Sequence, residues 1–290
     1  MPERPDLAYQ IPLLESAFVG CTLAGLRVLD PVVHRVLLPG PPAAVLAGRV
    51  LGGVSRHGHF IRFDWPGEPA IETAVHLMLA GRFSIVPTPA KTAKDAVFAF
   101  DFADGRTLLL RDDTQMAKVV HLEPAQRPAV PGLGAVGVDV LGPAFGVEVL
   151  GALLRRRSDQ LKTFLLDKSA VDSFGNAYAD EALWAAGLHP KARCRSLGPA
   201  EVARLHAAMV ATLTEATAEV AARRPALDEK VRDFLHIRNR KGQPCPRCGA
   251  PVRVAGVNGH DAFFCAVCQP DPTGRSLVDW RRLGGPQSST

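Results

Sequence analysis

No uninterrupted apolar run in the 290 residues approaches the ~18 that a membrane helix requires, because Asp139, Pro143 and several glycines break the best stretch, Val136 to Leu154. No membrane partner is expected. The start, MPERPDLAYQ, puts Pro2, Glu3, Arg4, Pro5 and Asp6 where an export signal needs a basic and then an apolar segment, so a cytoplasmic location is expected. Internal repeats and low-complexity segments are missing too. Charge of one sign is in only small excess: 34 Lys and Arg against 29 Asp and Glu leave +5, which tilts toward an anionic partner without deciding it. Cysteines number only six, and four of them form two Cys-x-x-Cys pairs near the C-terminus while Cys21 and Cys194 stand alone. That pattern reads as a metal site with two plain thiols rather than a disulfide framework. With 47% hydrophobic and 22% charged residues, disordered and fibrous classes drop out, leaving a globular chain with core enough for two or three small domains.

What is present divides the chain into an α+β multidomain protein. Residues 1–121 carry short alternating apolar runs such as FIRFDW and AFDFADGRTLLL, with Asp104-Gly105 as a hairpin turn, and predict a mainly antiparallel β domain. One helix is expected before it, over Leu7 to Phe18, where Pro12 either weakens the helix or marks a start near it. Residues 122–146 are dense in Pro and Gly without a period and read as a linker. Residues 147–235 carry the helical period, with Val202, Leu205, Met209 and Leu213 on one face and Pro199 in a first turn. A cysteine module over 236–270 and a polar tail over 271–290 complete the order.

In that module Cys245-Pro-Arg-Cys248 and Cys265-Ala-Val-Cys268 are separated by 16 residues, a spacing suited to one structural zinc ion held by four thiolates. Gly249 supplies the dihedrals of the first turn, and PVRVAGVNGHDAFF reads as a hairpin bending at Asn258-Gly259. Four cysteines in paired registers argue against a redox dithiol, which needs one pair. The module either presents Arg247, Arg253 and His260 to a polyanion or only staples the C-terminus.

At the other end, removal of Met1 makes the Pro2 nitrogen a free secondary amine. An α-amine titrates near pH ~8, so a useful fraction is nucleophilic at neutral pH and able to form an iminium. Glu3 is expected to act as a general acid, its carboxyl holding a proton near neutrality because the neighbouring carboxyl of Asp6 disfavours a second charge. Between two helical segments, Asp172-Ser-Phe-Gly175-Asn176 either caps a helix or turns backbone amides and an asparagine amide toward a phosphate.

Pro2-Glu3, HLMLAGRF, FGNAYADEAL and GQPCPRCG, in this order, resemble the formamidopyrimidine-DNA glycosylase and endonuclease VIII family over roughly Pro2 to Gln269. The resemblance implies an N-terminal β-sandwich with flanking helices, a helix-two-turn-helix domain and a C-terminal zinc-finger hairpin, with damaged double-stranded DNA in the cleft and one damaged nucleotide flipped out. It implies an enzyme of base-excision repair acting as a monomer. Pro2 attacks the sugar C1′ and forms a Schiff base, Glu3 assists by proton transfer, Asp6 supports it, and elimination cuts the strand. Asn176 with Gly175 holds a phosphate, and Lys162 is a backbone contact.

The chain departs from the family's pattern at four places. His59 stands where a turn lysine is common, as a donor to phosphate or a proton-transfer group whose charge is conditional. His260 stands where an arginine is common. Leu79, Gln115 and Met116 take the places of the residues that fill the gap left by the flipped base, giving an apolar wedge without an arginine. The segment before the zinc finger lacks the loop that closes over an oxidised purine. Two further readings follow: a catalytically weakened protein that binds damaged DNA, or a glycosylase for bulky or crosslinked adducts. His76 and Trp184 read as core residues.

Overall fold

The structure, a computed structural model, describes residues 2–88 and 93–272; most of the expected tail lies outside the described residues. Leu7, Ile11, Leu14 and Phe18 recur at helical spacing and are buried, which docks helix α1 (Arg4–Phe18) on the β domain. The helix runs through Pro12 instead of starting there. Burial of this stripe on both sides of Pro12 outweighs the roughly 3 kcal/mol that an interior proline costs.

Strands β1 (Leu23–Val28), β2 (His34–Val36), β3 (Gly53–His57), β4 (Phe60–Trp65), β5 (Ile71–His76), β6 (Arg82–Pro87), β7 (Ala96–Phe102), β8 (Arg106–Arg111) and β9 (Lys118–Leu122) form two sheets, with the short helix α2 (Pro42–Leu46) after β2. One sheet has the order β1-β7-β8-β6 and the other β2-β9-β5-β4-β3. All pairs are antiparallel except β2 with β9. The sheets face each other through aromatics: the Phe63 and Phe100 rings lie 5.3 Å apart, and Trp65 packs against both Phe100 and Phe102.

The register places the functional end. His76 pairs with Lys118 and Phe60 with His76, while Arg82 pairs with Arg111. Hence the β3–β4 turn and two of the crossovers between the sheets, residues 77–81 and 112–117, emerge at one end of the sandwich.

The stretch read as a linker is packed. Val130 and Leu133 are buried with Phe60, Ala74, Val120 and Leu122 on the outer face of the five-stranded sheet, and Arg127 pairs with Glu72, whose side chain is fully buried beside Arg62. Pro and Gly density had hidden these anchors, because two apolar residues do not make a period.

Helices α3 (Val147–Arg155), α4 (Leu161–Leu166), α5 (Asn176–Ala186) and α6 (Pro199–Arg223) share a second core, with Val202, Leu205, Met209 and Leu213 buried on α6. Strands β10 (Arg253–Val257) and β11 (His260–Phe264) form the terminal hairpin, turning through Asn258 and Gly259 at positive φ.

Candidate active site

Glu3 is the residue preceding α1 and is 3% exposed. Its carboxylate crosses to the first turn of α5, where Oε2 accepts from the Gly175 N–H at 2.8 Å and the Tyr178 N–H at 3.3 Å, and Oε1 from the Ala177 N–H at 2.9 Å. These are amides that a helix start leaves unpaired, so the carboxylate and the helix N-terminus complement each other. Gly175 is required by contact: a Cβ there would lie 2.3 Å from Glu3 Cδ. The amides expected to turn toward a phosphate are therefore occupied by Glu3.

Asp6 is not a carboxyl partner of Glu3. Its Oδ2 accepts from the Glu3 backbone N–H at 2.7 Å, and both of its oxygens accept from Arg232, at 2.8 and 2.5 Å. The expected proton-sharing pair gives way to a capping box reinforced by a bidentate arginine. Arg232 also lies over the Tyr178 ring at 5.1 Å, so one guanidinium joins α1, α5 and the segment after α6. Pro2, beside Glu3, is buried.

A second network locks the same junction. Asp139 accepts from Arg4 at 3.0 and 3.1 Å and from Arg56 at 2.8 Å, and Arg56 reaches Asp172 at 2.9 Å. Burial pushes the Asp139 carboxyl upward, but the two guanidiniums outweigh it and hold it at about 2. Arg56 also donates to the Gly58 carbonyl at 2.9 Å and so shapes the β3–β4 turn.

That turn lines a cavity of about 100 Å³ with His59, His76, Met78, Lys118 and Lys168. His59 is 5% exposed and neither ring nitrogen has a hydrogen-bond partner among the described residues. Burial, then the charge of Lys168, pushes its pKa well below the ordinary histidine value, so at neutral pH it carries no charge. His76 stacks on it with ring centroids 6.3 Å apart, and burial lowers it to about 4. Its Nδ1 accepts from the Met78 N–H at 3.0 Å, which puts the neutral ring's proton on Nε2.

The other expected DNA-side residues separate into two groups. Leu79 and Met116 are 58% and 41% exposed, on the two neighbouring crossovers. Asp112 shapes the second crossover by accepting from the N–H groups of Thr114, Met116 and Ala117, leaving Gln115 exposed at φ +54°. His260 is exposed at the tip of the hairpin. Lys162, by contrast, is not at the surface. Its side chain is fully buried, and the ammonium donates to Asp180 at 2.5 Å and to the Asn176 carbonyl at 2.8 Å. It therefore positions the Asn176 turn from beneath and does not touch a backbone phosphate. The Asn176 side chain lies at that turn with a buried Oδ1 that has no partner among the described residues.

The four cysteine sulfurs lie within 4.8 Å of one another, with Cys245–Cys268 at 4.0 Å and Cys248–Cys265 at 3.4 Å. A tetrahedral zinc with bonds of about 2.3 Å needs sulfurs about 3.8 Å apart, so the donors fit one structural zinc ion. Trp184, read as plain packing, binds this module: its Nε1–H donates to Cys245 Sγ at 3.4 Å, with Arg247 over one ring face at 4.4 Å and His236 stacked at 5.0 Å.

Family models match all three parts: the formamidopyrimidine-DNA glycosylase N-terminal domain over 1–119, its H2TH domain over 136–223, and the zinc finger found in FPG and IleRS over 242–270. The chain belongs to the formamidopyrimidine-DNA glycosylase family. It is 32% identical to a formamidopyrimidine-DNA glycosylase of Symbiobacterium thermophilum, over 98% of this chain and 94% of that one. The Moorella thermoacetica relative is 33% identical over 87% and 93%. Among solved structures, the Fpg protein of Lactococcus lactis in complex with N7-benzyl-Fapy-dG DNA superposes with a TM-score of 0.84 at 25% identity, covering 93% of this chain and 100% of that one. The Thermus thermophilus protein superposes at 0.80 and 29% identity, over 92% and 98%.

Within this glycosylase fold, sequence reasoning missed Arg232, Arg56, Asp139 and Lys168. Asp139 and Arg56 lie 83 residues apart and Arg232 and Asp6 226 apart. No local pattern marks such pairs. The one available signal was the charge of Asp139 inside an otherwise apolar stretch.

Proposed function

We propose that this protein is a base-excision-repair DNA glycosylase with abasic-site lyase activity, acting as a cytoplasmic monomer on double-stranded DNA that carries a damaged base or an abasic site. The observation that supports it is the burial of Pro2 and Glu3 where α1 meets the first turn of α5. With Met1 removed, the Pro2 nitrogen attacks C1′ as the bond from C1′ to the base breaks, and the base leaves with a proton. Opening of the sugar gives the iminium, loss of a C2′ proton breaks the C3′–O bond, and hydrolysis returns the amine. Glu3, held by three N–H donors, exchanges protons with the sugar, and Asp6 fixes its backbone. Leu79, Gln115 and Met116 fill the stack, and Asn176 and His260 hold phosphates. Among the described residues no helix is long and apolar enough to cross a membrane.

Borohydride trapping on a duplex with one abasic site tests this. The expected result is a covalent band from the mature chain and none from a chain that retains Met1, whose Pro2 nitrogen is an amide. Binding without any band would favour the weakened damaged-DNA binder, for which the uncharged His59 is the supporting observation. Release of bulky adducts in preference to small oxidised bases would favour the third reading, supported by the absent lesion loop and by the benzylated lesion in the Lactococcus lactis complex.

A further inference from the structure

The Lys168 ammonium is the group that the rest of the site leaves unused. Its Nζ has no accessible surface and no hydrogen-bond partner among the described residues. Burying an ammonium without a partner is costly, and natural chains retain such a group chiefly where something else completes it. It lines the His59 cavity together with Lys118, which is exposed, so the cavity reaches the surface. His76, whose ring proton sits on Nε2, lines the same cavity, and His59 is uncharged there.

Two lysines and two neutral imidazoles around one cavity make an anion site whose inner cation is Lys168. We propose that Lys168 receives a non-bridging phosphate oxygen of the damaged strand, doing from the α4–α5 loop what the β3–β4 turn, occupied by His59, does not do with charge. The proposal rests on the DNA-repair reading above. Its partial support from titration is that burial, against the nearby charges of Glu3, Asp172 and Asp167, lowers the lysine to about 8, leaving it mostly cationic at neutral pH and ready for an anion. On binding, a phosphate gives an ammonium without a hydrogen bond a charge-assisted one, so occupancy and stability rise together.

The test compares wild type, Lys168→Gln and the double variant His59→Lys/Lys168→Gln. Affinity for a duplex containing a tetrahydrofuran abasic analogue is measured over a range of salt concentrations, beside borohydride trapping on a true abasic site. Lys168→Gln is expected to weaken binding about tenfold and to lower the slope of log affinity against log salt by about 0.9, the value of one phosphate contact. The double variant is expected to recover both, because a lysine on the turn faces the same cavity. An unchanged slope in Lys168→Gln would overturn the proposal, as would a double variant that recovers nothing while its thermal midpoint matches wild type. If wild type binds with the full slope difference but is never trapped, the lyase reading fails and this one stands. If wild type does not bind the duplex, both fail.

Discussion

Gly175 and Glu3 form a lock that tolerates no additional atom: the Gly175 N–H donates to Glu3 Oε2 at 2.8 Å while the space for a Cβ is already filled by the Glu3 side chain. Two domains meet through this contact, and the carboxylate to which the proposed chemistry gives the proton transfer is also the cap of α5.

Gly175→Ala is therefore expected to displace the Glu3 side chain by an ångström or more. Single-turnover trapping on abasic DNA should fall by about 10²-fold, the order expected when a reacting group is misplaced by that distance, while circular dichroism retains the native helix content. Equal trapping rates in the two proteins would show that Glu3 placement does not limit the reaction.

Acid should destabilise the protein below pH ~6.5. His76 and His121 are lowered by burial to about 4 and about 3, and His34 is lowered as well, its ring 5.0 Å from that of His121. The unfolded chain binds protons near pH ~6.5 while the folded chain does not, so stability falls as pH drops from there toward the folded values, by up to about 3 kcal/mol for His76 alone. Urea unfolding from pH 7 to pH 5 reads this directly. A flat profile would mean that these rings take up protons in the folded state.

Lys162→Ala should cost about 3–5 kcal/mol, because it leaves Asp180 buried with Arg238 alone and frees the Asn176 carbonyl. The double variant Lys162→Met/Asp180→Leu should lose less than Lys162→Ala. Denaturant midpoints compare them, and a double variant at least as unstable as the single one would remove the view of this pair as a buried charge balance.

Removal of zinc by a chelator should change Trp184 fluorescence before the helical domain unfolds, because the indole N–H is bonded to Cys245 and its ring faces are covered by Arg247 and His236. Duplex affinity should fall in parallel, as His260 is carried on the same hairpin. Emission that stays constant through metal loss would mean that the module keeps its place without the ion.

Glu181 shows how such dependencies arise: one carboxylate of α5 accepts the N–H groups of His236, Ile237 and Arg238 at the approach to the zinc module. The motif that supplied Gly175 and Asn176 to the site thus also supplies Asp180, Glu181 and Trp184 to hold the third part of the chain.

Periodicity, turn residues and cysteine spacing by themselves determined the β domain, the helical domain, the zinc hairpin and its four cysteines, because each of these depends on neighbours within a few residues, while Pro2 and Glu3 were marked only by resemblance to the family. Tertiary structure alone decided that Glu3 faces α5 instead of Asp6, that Lys162 is buried, that the Pro- and Gly-rich stretch is packed, and that Lys168 shares a cavity with His59. Those outcomes depend on pairs separated by tens to hundreds of residues, such as Glu3 with Gly175 and Arg232 with Asp6. Local sequence carries the propensity of each segment, whereas the charge state and orientation of a side chain are set by what packing brings beside it.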